Sequence, residues 1–417
     1  TISVDVDAGV VTDIRMDIVE PARLFEAMVV GRRFDEAPLI TSRICGICSP
    51  NHAITSIKAL EAALGVEISE RTRLLRSLML YGSYLQNHAT HLYLFAAPDF
   101  VGLPSVFPLA QTHPEVVRRA LHIKKLGNEL TTIVGGRPVH PITAVIGGFS
   151  AEPTSHELEA LATALHAVAN DAAETVALFA GFEVPEVVEA RAGDVALRER
   201  RPQDRMPVQC ADLRRAVYDG EVCALDAGWC RPPREYREFV TETTVAHSNA
   251  KHATVDGRTF MVGALARVNL SWDRLLPSAR VVASKAGLRP VTRNTFHNNL
   301  CQAIELVDAA ERCALLCERL ISEGGSSAPV PFTVKAGEGT AATEAPRGTL
   351  YHTLALDDDG LITAGDVITP TAQNLANLEA DMRAYAPTVA HLPEDEFILA
   401  IERLVRAYDP CLSCAVH

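Results

Sequence analysis

The sequence predicts a mainly α-helical fold with small β-sheets, an α+β chain built on a core of long helices. Three observations carry this. Between 69 and 97, Leu74, Leu75, Leu78, Tyr81, Leu85, His88, Leu92 and Phe95 recur at intervals of three and four, the period of a helix with one buried face. The stretches 158–182 and 296–321 show the same period. Alternation at period two, the mark of a half-buried strand, is confined to short runs.

Ile2, Val4 and Val6, then Ile14, Met16 and Ile18, alternate with polar residues on either side of Asp7-Ala8-Gly9, which predicts a β-hairpin over 1–18. Pro21 suits the start of a helix, and Arg23-Leu24-Phe25-Glu26-Ala27-Met28 carries it to near Gly31, with Glu26 on it. After the 69–97 helix, the prolines at 98, 104 and 108 mark a loop over 98–112. A more polar helix follows from 114 to about 132. It stops before Gly135-Gly136-Arg137, a turn and not a phosphate loop, because no Gly-Lys-Ser/Thr follows. Ser155 with Glu157 opens the helix over 158–182, expected to pack against the 69–97 helix.

From 184 to 292 the pattern loosens into strands and turns, with charged loops at 198–205 and 231–238. Residues 296–321 return to helix. Gly324-Gly325-Ser326-Ser327-Ala328-Pro329 has the composition of a linker. A cysteine pair stands on each side of it, however, and if the pairs meet, the chain is one domain over 1–417. Residues 349–368 read as a hairpin around Asp357-Asp358-Asp359-Gly360, and helices over 372–385 and 393–407 lead into the last ten residues.

A 417-residue chain that is 48 % hydrophobic can bury a large core. Its net charge of −13 excludes nucleic acid and anionic membrane as natural partners, since both require basic surfaces. No apolar run reaches the roughly eighteen residues a membrane span needs, and no signal-peptide pattern occurs. The ten cysteines are too sparse for a disulfide scaffold, and four lie in Cys-x-x-Cys pairs, which points to metal or redox chemistry and to the cytoplasm. Cys210, Cys223, Cys230, Cys301, Cys313 and Cys317 are expected to be small buried apolar residues.

The two pairs are Cys45-Gly46-Ile47-Cys48, followed by His52, and Cys411-Leu412-Ser413-Cys414, followed by His417. Two thiols three positions apart can face one metal, so two pairs make a four-thiolate site for a soft or borderline ion. A structural zinc is one candidate. Zinc ribbons, however, keep their pairs within a few tens of residues, whereas 366 positions separate Cys45 from Cys411.

Arg43-x-Cys45-Gly46-x-Cys48-x-x-x-His52 and Asp409-Pro410-Cys411-x-x-Cys414-x-x-His417 resemble the two signatures of the large, catalytic subunit of nickel-iron hydrogenases. His247-Ser248-Asn249-Ala250-Lys251, Val262-Gly263-Ala264-Leu265-Ala266-Arg267-Val268-Asn269, His297-Asn298-Asn299-Leu300 and Glu344-Ala345-Pro346-Arg347-Gly348 are similar to the cytoplasmic, cofactor-coupled branch of that family. The resemblance implies that Cys45, Cys48, Cys411 and Cys414 bind nickel. It makes Cys48 and Cys414 bridge to an iron that carries carbon monoxide and cyanide. It gives Cys411 the proton released when hydrogen is cleaved, with Arg347 above the open face as the competing base, Asp409 orienting it and His52 beside a bridging sulfur. Glu26, His417 and a backbone group near Ile368-Thr369-Pro370 are implied ligands of a magnesium or similar ion.

With no dinucleotide fingerprint and no further iron-sulfur spacing in the chain, electrons are expected to leave through an iron-sulfur small subunit. Flavin- and NAD(P)-binding subunits are implied beyond it. The resemblance also implies nickel-delivery proteins and a maturation endopeptidase that cuts after His417. Two departures stand out. Asn87 occupies the place of a common canopy aspartate, and the family's proton-relay glutamate is expected about two positions before Thr1. A hydrogen sensor of the same family and a non-enzymatic four-cysteine zinc protein are the alternative readings.

Overall fold

In the computed structural model, residues 1–7, 10–186, 193–199 and 216–417 are described. The predicted N-terminal hairpin is β1 (Ile2–Asp7) paired antiparallel with β2 (Val10–Met16). The short helix that carries Glu26 is Phe25–Val29. Immediately after the first cysteine pair comes α1 (Ser49–Leu64), with Pro50 in its first turn and Gly65 in the left-handed conformation that ends it. Nearly all side chains of α1 are buried.

Helix α2 (Glu70–Thr90) is the predicted long core helix, capped by Ser69, whose Oγ accepts from the Thr72 N–H at 3.1 Å. It then widens into a π-helical segment over His91–Ala96. Such widening concentrates at functional sites, because it turns side chains out of the helical register. Residues 98–112 are helical where a loop was expected, over Ala97–Phe100 and Val106–Thr112. Pro98 and Pro108 fall in first turns, where a missing N–H costs nothing.

α3 (Pro114–Gly135) lies against α2 at close range. A Cβ at Gly127 would stand 2.7 Å from the backbone N of Gln86, so glycine sets that approach. α4 (Ser155–Ala180) begins three residues before the expected 158 and ends two before 182, with Thr154 and Glu157 forming a capping box. α5 (His297–Glu323) takes the place expected for α4: it packs on both α2 and α4. α4 meets the π-helical end of α2, where Tyr93 Oη and Thr175 Oγ1 are 2.7 Å apart.

The loosely patterned region holds a three-stranded sheet (Val195–Arg198, Glu221–Ala224, Trp229–Arg231) and a hairpin (Val240–Val245, Ser248–Val255). It also holds helices Ala264–Leu270 and Pro277–Lys285, which were not expected. Of the charged loops, 231–238 runs into the short helix Tyr236–Phe239, and 198–205 lies mostly outside the described residues. Cys223 and Cys230 correct another expectation. They stand directly opposite each other in the antiparallel register and form a disulfide, with Cys230 exposed. Cys301, Cys313 and Cys317 are buried as expected, and Cys210 is outside the described residues.

The last sheet is β3 (Gly337–Ala345), β4 (Gly348–Leu356) and β5 (Ile362–Ile368), all antiparallel. The hairpin β4–β5 was predicted, whereas β3 was not. α1 lies on β3, and a Cβ at Gly337 would stand 2.6 Å from the Ala63 carbonyl. The glycine- and serine-rich tract before β3 is packed: the Ser327 carbonyl accepts from the Phe149 N–H at 2.7 Å. α6 (Pro370–Val389) and α7 (Glu394–Tyr408) then bring the chain back to the first cysteine pair. Among the described residues, no helix is long and apolar enough to cross a membrane.

Candidate metal centre

Local backbone geometry presents all four predicted thiols. Cys45 is extended after the tight turn Ser42–Ile44, and Cys48 caps α1. On the other side, Asp409 ends α7 in the left-handed conformation (φ 49°), which turns the chain so that Cys411 and Cys414 face back. Cys45 Sγ and Cys411 Sγ are 3.5 Å apart, and Cys48 Sγ and Cys414 Sγ are 3.4 Å apart. Cys45, Cys48 and Cys414 are buried and Cys411 is partly open.

Thiols this close share protons. Hydrogen bonds from Cys411, then from Cys414, hold Cys45 well below the usual thiol range, and a hydrogen bond from Cys414 lowers Cys411. Hydrogen bonding to Cys411 pushes Cys48 and Cys414 well above that range, with burial adding to it. The cluster thus divides into two more acidic and two less acidic thiols, and it releases its protons as an ion binds. Four converging sulfurs, two already acidic, fit a soft or borderline metal.

His52 lies one turn along α1 from Cys48, and its Nε2 is 3.8 Å from Cys414 Sγ. Behind it runs a buried file that the sequence did not reveal. His52 Nδ1 is 3.2 Å from His352 Nε2, His352 Nδ1 is 2.8 Å from Ser56 Oγ, and Ser56 Oγ is 2.7 Å from Thr41 Oγ1. Burial depresses His52 to about 3 and drives His352 well below the ordinary histidine range, so both are neutral at pH 7. A neutral imidazole between two partners donates at one nitrogen and accepts at the other, so the file couples the His52 tautomer to that of His352 and holds the ring against the sulfur.

The unfolded chain holds these protons up to a pKa near 6.5, whereas the folded chain does not. Stability therefore falls as pH drops below that value. We expect His352→Asn to flatten the slope of urea-unfolding free energy between pH 5 and 6.5 by up to about 1.4 kcal/mol per pH unit. An unchanged slope would show that His352 is not held neutral in the fold.

Arg347 lies close to the cysteine cluster. Its Nε donates to the Asp409 carbonyl at 2.8 Å and to Asp409 Oδ1 at 3.0 Å, and Nη1 donates to Asn87 Oδ1 at 3.1 Å. Burial opposes its charge, but Asp409 and then the thiolates of Cys411 and Cys45 outweigh burial and keep it protonated. Gln302 Nε2 donates to Asp409 Oδ2 at 2.9 Å, and Gln302 Oε1 lies 2.7 Å from His91 Nδ1. Asn87 is in turn anchored through Nδ2 to the carbonyls of Ser83 (2.7 Å) and Ile47 (3.1 Å). The amide therefore receives the guanidinium without adding charge.

Arg267 positions this loop. Its guanidinium donates to the carbonyls of Ala345 (2.9 Å) and Pro346 (2.7 Å), immediately before Arg347, and is paired with Glu305 and Glu344. All three charged side chains are buried, so removing the arginine leaves two carboxylates without their cation. We expect Arg267→Met to cost about 3–5 kcal/mol, read as a lowered thermal unfolding midpoint. A shift of only a degree or two would count against that assignment.

At the C-terminal end, His417 Nε2 is 2.6 Å from the Val367 carbonyl and 3.9 Å from Glu26 Oε1. Glu26 Oε1 also accepts from the Val367 N–H at 2.8 Å. The backbone group is thus one residue before the predicted segment. Lys251 lies 2.9 Å from Glu242 and 4.0 Å from Glu26, and Glu242 Oε1 is a buried oxygen with no hydrogen-bond partner among the described residues. Two carboxylates, an imidazole and a carbonyl are donors suited to a hard divalent ion.

Comparison with known proteins agrees with this geometry. A family model described as nickel-dependent hydrogenase matches residues 23–116 and 216–417. The chain is 35 % identical over 409 residues to sulfhydrogenase 1 subunit alpha of Pyrococcus furiosus, covering 98 % of this chain and 92 % of that one. It is 28 % identical over 454 residues to the NAD-reducing hydrogenase HoxS subunit beta of Cupriavidus necator, covering 99 % and 90 %. Among solved structures it is similar to an NAD+-reducing [NiFe]-hydrogenase in the H2-reduced state, with TM-score 0.86, 29 % identity and coverage of 100 % and 95 %. The [NiFeSe]-hydrogenase of Dm. baculatum shares the fold, with TM-score 0.76, 22 % identity and coverage of 100 % and 96 %. Matched along nearly its whole length, and with four thiols gathered in one buried cluster, this chain belongs to the nickel-dependent hydrogenase family, oxidoreductases that act on hydrogen, as a catalytic large subunit.

Proposed function

We propose that this chain, working as one domain, cleaves and forms hydrogen reversibly at a nickel-iron centre held by Cys45, Cys48, Cys411 and Cys414. The observation that carries the proposal is the meeting of the four sulfurs beneath an arginine that Asp409 holds charged. Cys45, Cys48, Cys411 and Cys414 would hold the nickel, and Cys48 and Cys414, whose sulfurs face each other at 3.4 Å, would also serve the iron with its carbon monoxide and cyanide ligands. When bound, the centre supplies Lewis-acidic, redox-active metals that polarise hydrogen.

The protein contributes the rest. Cys411, the one residue of the four that is not fully buried, takes up the proton. Arg347 holds positive charge over the thiolates, and its bonds to Asp409 keep it protonated, which favours Cys411 as the base. His52, held in place by His352, sets its ring against Cys414 Sγ and so tunes the surroundings of that sulfur. Glu26, His417 and the Val367 carbonyl hold magnesium or a similar ion that ties the C-terminal segment to β5 and the helix Phe25–Val29. Electrons pass to an iron-sulfur small subunit and on through flavin-bearing subunits to NAD(P) in the cytoplasm, a reading supported by the likeness to NAD-reducing hydrogenases.

The test combines two measurements on the purified complex. Infrared bands of metal-bound carbon monoxide and cyanide are expected, together with hydrogen-dependent reduction of NAD+ or NADP+. Missing bands in a fully metallated sample overturn the centre. Bands with reduction of an artificial dye but of neither nucleotide overturn only the NAD(P) coupling.

A further inference from the structure

We propose that His247, His252 and Glu379 form a second metal site, for a zinc-like divalent ion, separate from the four cysteines. The hairpin Val240–Val245/Ser248–Val255 lies on α6. Its turn delivers His247, its second strand delivers His252, and α6 delivers Glu379. His247 Nε2 is 2.7 Å and His252 Nε2 is 3.9 Å from the same oxygen, Glu379 Oε1, and all three donor atoms lie within 4.8 Å of one another.

His252 points to a ligand. It is 6 % exposed, and its Nε2, aimed at this carboxylate, has no hydrogen-bond partner among the described residues. An ion pair between His247 and Glu379 would be complete without it. A buried ring nitrogen left without a partner is uncommon unless something fills the place. Burial, the largest influence on His252, lowers its proton affinity and favours the neutral form that a metal requires.

The donor set selects the ion. Two imidazole nitrogens and one carboxylate oxygen suit zinc: magnesium prefers an all-oxygen shell, and copper(I) prefers sulfur. In a tetrahedral site with bonds near 2.0–2.1 Å, donors stand about 3.3 Å apart, and the two distances to Glu379 bracket that value. Bringing the two distances to Glu379 to that value asks for shifts of about half an ångström, and His247, with a quarter of its side chain exposed, has room to move. Glu379 is already oriented as a ligand. Its Oε2 receives Arg383 Nη2 at 3.0 Å, and its Oε1 receives the Met16 N–H at 3.1 Å. Through Met16 an ion here ties together β2, the hairpin and α6.

The test uses the full chain, purified in its complex, dialysed against zinc and then against a weak chelator. About one zinc per chain is expected in addition to nickel, and its X-ray absorption should show only nitrogen and oxygen neighbours. His247→Ala and His252→Ala should each lower zinc content at least about tenfold while nickel content stays the same. If His252→Ala fails to fold, His247→Ala, at a partly exposed turn, decides. No retained zinc in the wild type, zinc with sulfur neighbours, or zinc unmoved by His247→Ala overturns the site. Nickel content reports independently on the four cysteines, so the two proposals can fail separately.

Discussion

A Cys414→Ser chain is expected to lose its nickel and, with it, hydrogen turnover, each by at least about a hundredfold, while remaining folded. Cys414 Sγ sits 3.4 Å from Cys48 Sγ and 3.8 Å from His52 Nε2, the point where the two halves of the chain meet. Serine preserves the shape but not the donor, because its hydroxyl stays protonated at neutral pH and is harder than a thiolate. Loss of a partner that merely orients a ligand already costs about 10–100-fold in metal affinity, so loss of the ligand itself costs more.

The fold should survive because the backbone at this position is held independently of the sulfur. The Cys414 carbonyl accepts from Thr369 Oγ1 at 3.0 Å and lies 2.8 Å from His417 Nδ1. Metal analysis and thermal unfolding of the same preparation separate the two effects. Nickel retained at the wild-type level would remove Cys414 from the ligand set.

The two cysteine pairs were legible in the sequence because their spacing is set by chemistry, whereas Glu26 and the ligand role of His417 came only from the family resemblance. Two thiols three apart on each side of a large core have few other uses. The long amphipathic helices were legible because their buried faces recur at the helical period. α1 was not, because burial on nearly every side erases the contrast between faces that reveals a helix. β3 was missed for a related reason: Gly337-Glu338-Gly339 lacks the β-branched residues of a strand, and its glycines serve close contact with α1.

His352, Gln302 and Arg267 could not be assigned by spacing, since each acts through a partner far away along the chain. His352 meets His52 across 300 residues and Gln302 meets Asp409 across 107. The Arg267 motif was visible, but its hold on the loop carrying Arg347 arises only when α5 and β3 bring Glu305 and Glu344 to it. The Cys223–Cys230 disulfide was missed because sparse cysteines suggested reduced thiols, whereas the hairpin register sets the pair face to face.

Arg347→Lys keeps the positive charge and removes the fork, so it separates two explanations of what the arginine does. As it stands, Arg347 spans two anchors, with Nε and Nη2 on Asp409 and Nη1 on Asn87. A lysine ammonium is a point donor on a flexible stem and cannot hold both anchors with its charge centred over the sulfurs. Loss of one preorganised charge-stabilising donor typically costs about 10²–10³ in turnover, and that is the expected drop, with nickel content and infrared bands unchanged. If turnover stays within about threefold of wild type, charge alone suffices and the fixed geometry over Cys411 is dispensable. If nickel is lost as well, Arg347 is needed to balance the thiolates during assembly and its role is electrostatic support of the site. Adding Asn87→Asp to the lysine variant sharpens the distinction. A carboxylate there gives the ammonium a charged partner, so partial recovery of turnover is expected if position over the metals is what was lost.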